Sequence, residues 1–159
     1  MRACMMFVTG LLVGVGLTVV AAQSPNRGVA GVNHVGMNVP NVEAAVAYYT
    51  KTLGFPEAFR VNDATGKPRL VYVQVSKNTF IEIQPGTGPA VISHVGIVVD
   101  DMTAATAMFK QRGANIAEIN RGSDTKAILN NITDLNGLRV ELAELPPASM
   151  HRQAIDRWK

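Results

Sequence analysis

Cysteine is almost missing from this chain: Cys4 is the single one in 159 residues, and it sits in an apolar N-terminal stretch. The domain that follows can therefore hold no disulfide, thiolate ligand or cysteine nucleophile. Charge is also sparse, at 17% of residues and net +3. Its basic residues are scattered (Arg60, Lys67, Arg69, Arg112, Arg121, Lys126, Arg139), with no Lys/Arg run. A nucleic-acid footprint needs clustered positive charge, so nucleic acid is not an expected partner. There is neither a Gly-x-Ser-x-Gly elbow nor a Gly-rich phosphate loop, which leaves serine-hydrolase and nucleotide chemistry unsupported. What is abundant is apolar: 47% of residues are hydrophobic, as in a folded globular protein.

The first 22 residues look like a targeting segment. Arg2 supplies a short positive start, residues 5–20 are apolar, and Val20-Ala21-Ala22 offers small side chains before Gln23. That pattern predicts a signal peptide cleaved after Ala22 and export to the periplasm or beyond. A run near the ~20 residues that span a bilayer also allows an uncleaved anchor with the domain outside. Gly10, Gly14 and Gly16 weaken a stable helix and favour the cleaved form. Residues 23–30 then read as a polar linker.

From there the chain repeats itself. Asn33-His34-Val35-Gly36-Met37 is echoed 60 positions later by Ser93-His94-Val95-Gly96-Ile97, and Ile81-Glu82-Ile83 59 positions later by Val140-Glu141-Leu142. Residues 32–39 alternate in period two, placing His34, Gly36 and Asn38 on one face. Asn41 can cap a helix with Val42, Ala45, Val46 and Tyr49 at helical spacing, ended by Gly54. Strands are expected over 56–62, 70–75 and 79–84, with Pro85-Gly86-Thr87-Gly88-Pro89 as the joint between halves. The second half follows suit: a strand over 92–99, a helix capped by Asp100 or Asp101 and ended by Gly113, and strands near 115–120, 126–132 and 138–143. Asp134-Leu135-Asn136-Gly137 is a tight turn. The fold class predicted is α+β, with two tandem βαβββ modules over 31–85 and 91–145 forming curled mixed sheets. Residues 146–159 start with Pro146-Pro147 and allow a short amphipathic helix bearing Ile155 and Trp158. His151, outside the repeat, reads as a surface residue.

Two imidazoles and two carboxylates at repeated strand positions suggest a divalent-metal site of His34, Glu82, His94 and Glu141. Such a donor set suits Zn, Ni, Co, Mn or Fe. Glu is depleted in strands and costly when buried unpaired, so one in the last strand of both halves calls for a reason. The apolar neighbours Val35, Ile81, Ile83, Val95, Val140 and Leu142 would pack under the helices, leaving the four candidates on a concave face. Arg139 lies two residues before Glu141 and should share its face, either to receive a substrate anion or to pair with an acid. Asn38, Gln84, Tyr72 and Gln74 are further candidates for the pocket wall.

Together, His34-Val35-Gly36 followed by residues 42–49, Leu53-Gly54-Phe55, Phe80-Ile81-Glu82, His94-Val95-Gly96 and the 134–141 segment resemble the vicinal oxygen chelate superfamily, which includes glyoxalase I, methylmalonyl-CoA epimerase, fosfomycin-resistance enzymes and extradiol dioxygenases. The resemblance covers about residues 31–145. It implies paired βαβββ modules around a cleft whose one divalent metal is chelated by adjacent oxygens of a small-molecule substrate. A full His-Glu-His-Glu set resembles the glyoxalase and isomerase side, where the metal polarises a carbonyl and stabilises an enediolate while a carboxylate moves the proton. By the same resemblance Glu141 is the first candidate for that base and Glu82 the second. Glyoxalase I usually has a basic residue four positions after its first His; here that position is Asn38. Alternatives are an Fe(II)-dependent extradiol-type dioxygenase, using His34, His94 and Glu141, and a small-molecule binding protein without turnover. The family also implies a homodimer, with a site formed in one chain or across two.

Overall fold

A computed structural model describes residues 28–159. The expected targeting segment lies outside them. Among the described residues, no helix is long and apolar enough to cross a membrane.

The first module contributes β1 (Val29–Val39), α1 (Val42–Ala47), β2 (Glu57–Asn62), β3 (Pro68–Ser76) and β4 (Thr79–Pro85). The second contributes β5 (Val91–Val99), α2 (Met102–Gln111), the short β6 (Asn115–Ile116) and β7 (Asn120–Arg121), then β8 (Ile128–Thr133) and β9 (Arg139–Glu144). A tail helix α3 (Met150–Arg157) follows. All nine strands join one mixed sheet in the order β2-β3-β4-β1-β5-β9-β8-β6, with β7 also on β8. The halves meet where β1 and β5 pair antiparallel, and each pairs in parallel with the last strand of its own module, β4 or β9. The second half is thus the first turned about an axis near the Val35–Val95 pair.

Local chemistry accounts for the elements. Asn41 and Asp101, both extended, accept hydrogen bonds from Ala44 N–H and Ala104 N–H and so cap α1 and α2. The first helix continues over Tyr48–Thr52 as a wider turn, with Leu53 N–H bonding to Tyr48 C=O, and Gly54 reverses the chain at φ +77°. Gly137, at φ +83°, closes the β8–β9 turn. There the Asp134 carboxylate accepts from Asn136 and Leu138 N–H.

Three expectations shift. The linker gives way to strand at Val29, because Val29 pairs with Val99 in β5. The strand expected near 115–120 is split: Ile116 faces Ile132 but Asn120 faces Leu129, so one extra residue bulges out between β6 and β7. Val95 is not under a helix; it pairs with Val35 at the module junction and stays 36% exposed.

Two apolar clusters cover the convex face, as alternation predicts. Val42 and Val46 of α1 pack on Val39, Val71, Val73 and Ile83, and Met102 and Ala105 of α2 pack on Val99 and Leu142. A third cluster lies on the opposite face. There α3 sets Ala154 and Ile155 against Phe59, Tyr72, Phe80 and Leu145. The tail helix therefore packs on the chain's own body, on the face that carries the candidate ligands.

Candidate metal centre

Cross-strand register explains why the motif is His-x-Gly. His34 on β1 lies opposite Gly96 on β5, and His94 lies opposite Gly36. Each glycine also neighbours a glutamate in parallel pairing, Gly36 with Glu82 and Gly96 with Glu141. A methyl group added at Gly36 would collide with the His94 ring, and one at Gly96 with the His34 ring. Each module thus supplies the hollow that holds the other's imidazole.

The four predicted ligands converge in one chain, all buried, with one donor atom from each inside a 4.8 Å sphere of mutual distance. His34 Nε2 lies 2.9 Å from His94 Nε2, 3.2 Å from a Glu82 carboxylate oxygen and 3.5 Å from one of Glu141. His94 Nε2 lies 3.1 Å from the same Glu82 oxygen. Metal–ligand bonds of about 2.0–2.2 Å set right-angled neighbours roughly 3 Å apart, so the spacing suits one divalent ion.

The groups behind the ligands orient them. His34 Nδ1 is 3.0 Å from Asn33 Oδ1, and the Asn33 amide donates to Asn78 C=O, 3.1 Å away. With Nδ1–H given to Asn33, loss of the Nε2 proton would leave that nitrogen's lone pair facing the cluster for a metal. Burial disfavours charge on His34, but hydrogen bonds to Glu141 and Glu82 outweigh it and raise its pKa to about 9. The carboxylates therefore make this point attractive to a cation, proton or metal.

At His94 two partners compete for Nδ1: Ser93 Oγ at 2.9 Å and the Arg139 guanidinium, which donates to it. The bond from Arg139 places the ring proton on Nε2, facing Glu82. Metal ligation through Nε2 needs the opposite tautomer, with Nδ1–H given to Ser93 and Arg139 turned away.

The two carboxylates differ. Burial opposes charge on Glu82, yet bonds from the two imidazoles and the Tyr72 hydroxyl, 2.6 Å away, hold its pKa below the usual carboxylate range. Gln84 also donates to Glu82. The Tyr72 hydroxyl, buried beside these carboxylates, has its own pKa pushed well up. Glu141 is less engaged, with His34 at 3.5 Å and Arg139 Nη1 at 3.6 Å.

Both glutamates line a cleft of about 430 Å³ between the modules, with Tyr72, Gln84, Leu70 and Leu129 among its walls. Arg69 and Asp124 pair near its mouth. Of the further candidates, Arg139 shares the Glu141 face as predicted and contacts the ligands rather than the cleft wall. Asn38 pairs in register with Gln84 but does not line the cleft. Gln74 is buried and donates to Lys77 C=O, a structural bond.

One residue departs from expectation altogether. His151 is not at the surface: it is 2% exposed, on α3, and lines the cleft. Its ring meets Tyr72, Phe59 and Phe80 edge-on and stacks near His34 at 6.1 Å. No repeat partner marks it in the sequence; only the docking of α3 on the concave face puts it there.

This arrangement of modules has known counterparts. The Glyoxalase/Bleomycin resistance protein/Dioxygenase superfamily profile matches residues 31–142. The chain belongs to this superfamily. It is 27% identical over 132 residues to an ethylmalonyl-CoA/methylmalonyl-CoA epimerase of Cereibacter sphaeroides, covering 71% of this chain and 96% of that one. Among solved structures it is similar to methylmalonyl-CoA epimerase from Mycobacterium tuberculosis, with a TM-score of 0.66, 22% identity and coverage of 81% and 95%. It is also similar to the 2,3-dioxygenase LapB from Pseudomonas sp. KL28, with a TM-score of 0.63, 18% identity and coverage of 71% and 41%. Superfamily membership and the likeness to these structures bear out the predicted fold.

Proposed function

We propose that the protein is a divalent-metal-dependent epimerase or isomerase acting on a small substrate that presents two neighbouring oxygens. The carrying observation is the convergence of His34, Glu82, His94 and Glu141 on one buried point beside an open cleft. The family and the epimerase relative support this class of chemistry. A divalent ion held by these four residues would polarise a substrate carbonyl and make the adjacent C–H more acidic.

The rest falls to the chain's own groups. Glu141 removes that proton from carbon; in an isomerisation it returns it to the neighbouring atom, and in an epimerisation a proton reaches the opposite face of the carbon from the Glu82 side. Glu141 suits this better than Glu82, because Glu82 already accepts from Tyr72 and Gln84 and rests against both imidazoles. Glu82 sits on the other side of the module axis and can exchange a proton from there. We further propose that the domain works outside the cytoplasm, as the N-terminal pattern suggests, and as a homodimer.

The test is elemental analysis of the purified chain, followed by solvent-deuterium incorporation at carbon. Methylmalonyl-CoA and the methylglyoxal–glutathione hemithioacetal serve as two chemically distinct probes. Close to one divalent ion per chain, with exchange into one probe that falls at least about 100-fold in Glu141→Gln, is the expected result. A protein that takes up no metal on reloading overturns the reading. Bound iron with oxygen uptake on catechol would replace it with ring-cleaving dioxygenase chemistry.

A further inference from the structure

His151 is not one of the four candidate metal ligands, whose donor atoms lie within 4.8 Å of one another. Yet its ring is almost fully buried, and neither Nδ1 nor Nε2 has a hydrogen-bond partner among the described residues. Its neighbours are Phe59, Tyr72 and Phe80, against which a phenyl ring would pack without leaving polar atoms unpaired. The imidazole therefore works against the stability of this wall.

Its position is firmly set. Ser149, fully buried, caps α3 by accepting from Arg152 N–H, and Met150 N–H bonds to Thr125 C=O, 2.9 Å away. Those bonds bring the first turn of the helix to the rim of the cleft that Glu82 and Glu141 line.

The second module has no counterpart. Where the first sets Tyr72 beside Glu82 and Phe80 beside His34, the second sets Asn131 beside Glu141 and Arg139 beside His94. The two halves of the cleft are thus chemically unlike, and His151 belongs to the aromatic half.

Resting on the metal-enzyme reading above, we propose that His151 is a substrate-binding residue whose ring N–H donates to a carboxylate or carbonyl oxygen of the molecule chelated in the cleft. In either protonation state the imidazole offers at least one N–H donor. A chelated substrate brings oxygen lone pairs, so the donor is the nitrogen that finds a partner. Its one-sided placement would also favour one orientation of an unsymmetrical substrate.

The test uses the full chain loaded with zinc, and oxalate as a small bidentate oxygen ligand. Calorimetry compares wild type with His151→Phe, which keeps a ring against the aromatic wall. The expected variant keeps its zinc, unfolds at an equal or higher temperature, and binds oxalate at least tenfold more weakly. In the wild type, the 15N signals of the His151 ring should shift on oxalate addition, a readout that does not depend on the variant folding. Equal oxalate affinity in the two proteins, or unmoved ring signals, overturns the inference and leaves the metal reading standing. Wild type that takes zinc but not oxalate does the same. Wild type that takes up neither zinc nor any other divalent ion overturns the metal reading, and this inference with it.

Discussion

Gly36 and Gly96 are as necessary to the site as the ligands themselves, because the ring of the opposite module's histidine lies where a side chain would start. Gly96→Ala should displace His34, cost about 1–3 kcal/mol by overpacking and sharply reduce metal content, measurable by thermal melting and elemental analysis. His94→Ala and Glu141→Gln should each lower metal content while far-UV circular dichroism stays native; full retention in both would sink the ligand assignment. Asn33→Ala, which frees the His34 ring from its orienting carbonyl, should weaken metal binding about 10–100-fold in a competition titration. At this scale much was legible. Period two put His34 and Glu82 on one face, and the repeat pointed out their partners. The role of each glycine was not, because it depends on register between β1 and β5, which lie far apart in sequence.

Helix caps and turns follow from short-range chemistry, and they were readable for that reason: Asn41, Gly54, Asp101 and Gly137 sit where their side chains or their freedom at positive φ demand. The bulge between β6 and β7 was hidden, since nothing in residues 115–121 says which of them pairs with β8. The placement of α3 was equally hidden, since an amphipathic tail does not name the surface it covers. Ile155→Ala removes the main apolar anchor of that helix and should cost about 2–4 kcal/mol in denaturant melts. The β8–β9 turn has a pH signature. Backbone N–H groups of Leu138 and Asn136 hold the exposed Asp134 carboxyl below its usual range. Because its folded pKa is depressed, its contribution is present above about pH 4 and lost as pH falls through the lowered value. The melting-temperature gap between wild type and Asp134→Ala should therefore close on acidification.

Over the whole molecule, the nine strands form one sheet, and the ligand cluster straddles its central seam. Each half contributes one His and one Glu, so an ion bound there ties the modules together. Chelation should lower the melting temperature in one transition, with roughly 2.7 kcal/mol regained when free metal stands a hundredfold above its Kd. Hydrogen exchange should quicken in β1 and β5 together; a loss confined to one half would mean that the site does not bridge the seam. The overall architecture was the most legible level of all, because duplication wrote it twice.

The crossed arrangement of histidine and glycine also orders events in time. His34 is made early in synthesis, but its hollow is not shaped until Gly96 has been placed beside it, and Glu141 arrives only with the last strand. No early portion of the nascent chain can hold the ion in its final geometry, and the contacts that build the centre span most of the sequence. On the function proposed above, metal loading would be the closing act of maturation and would report that both halves have found each other.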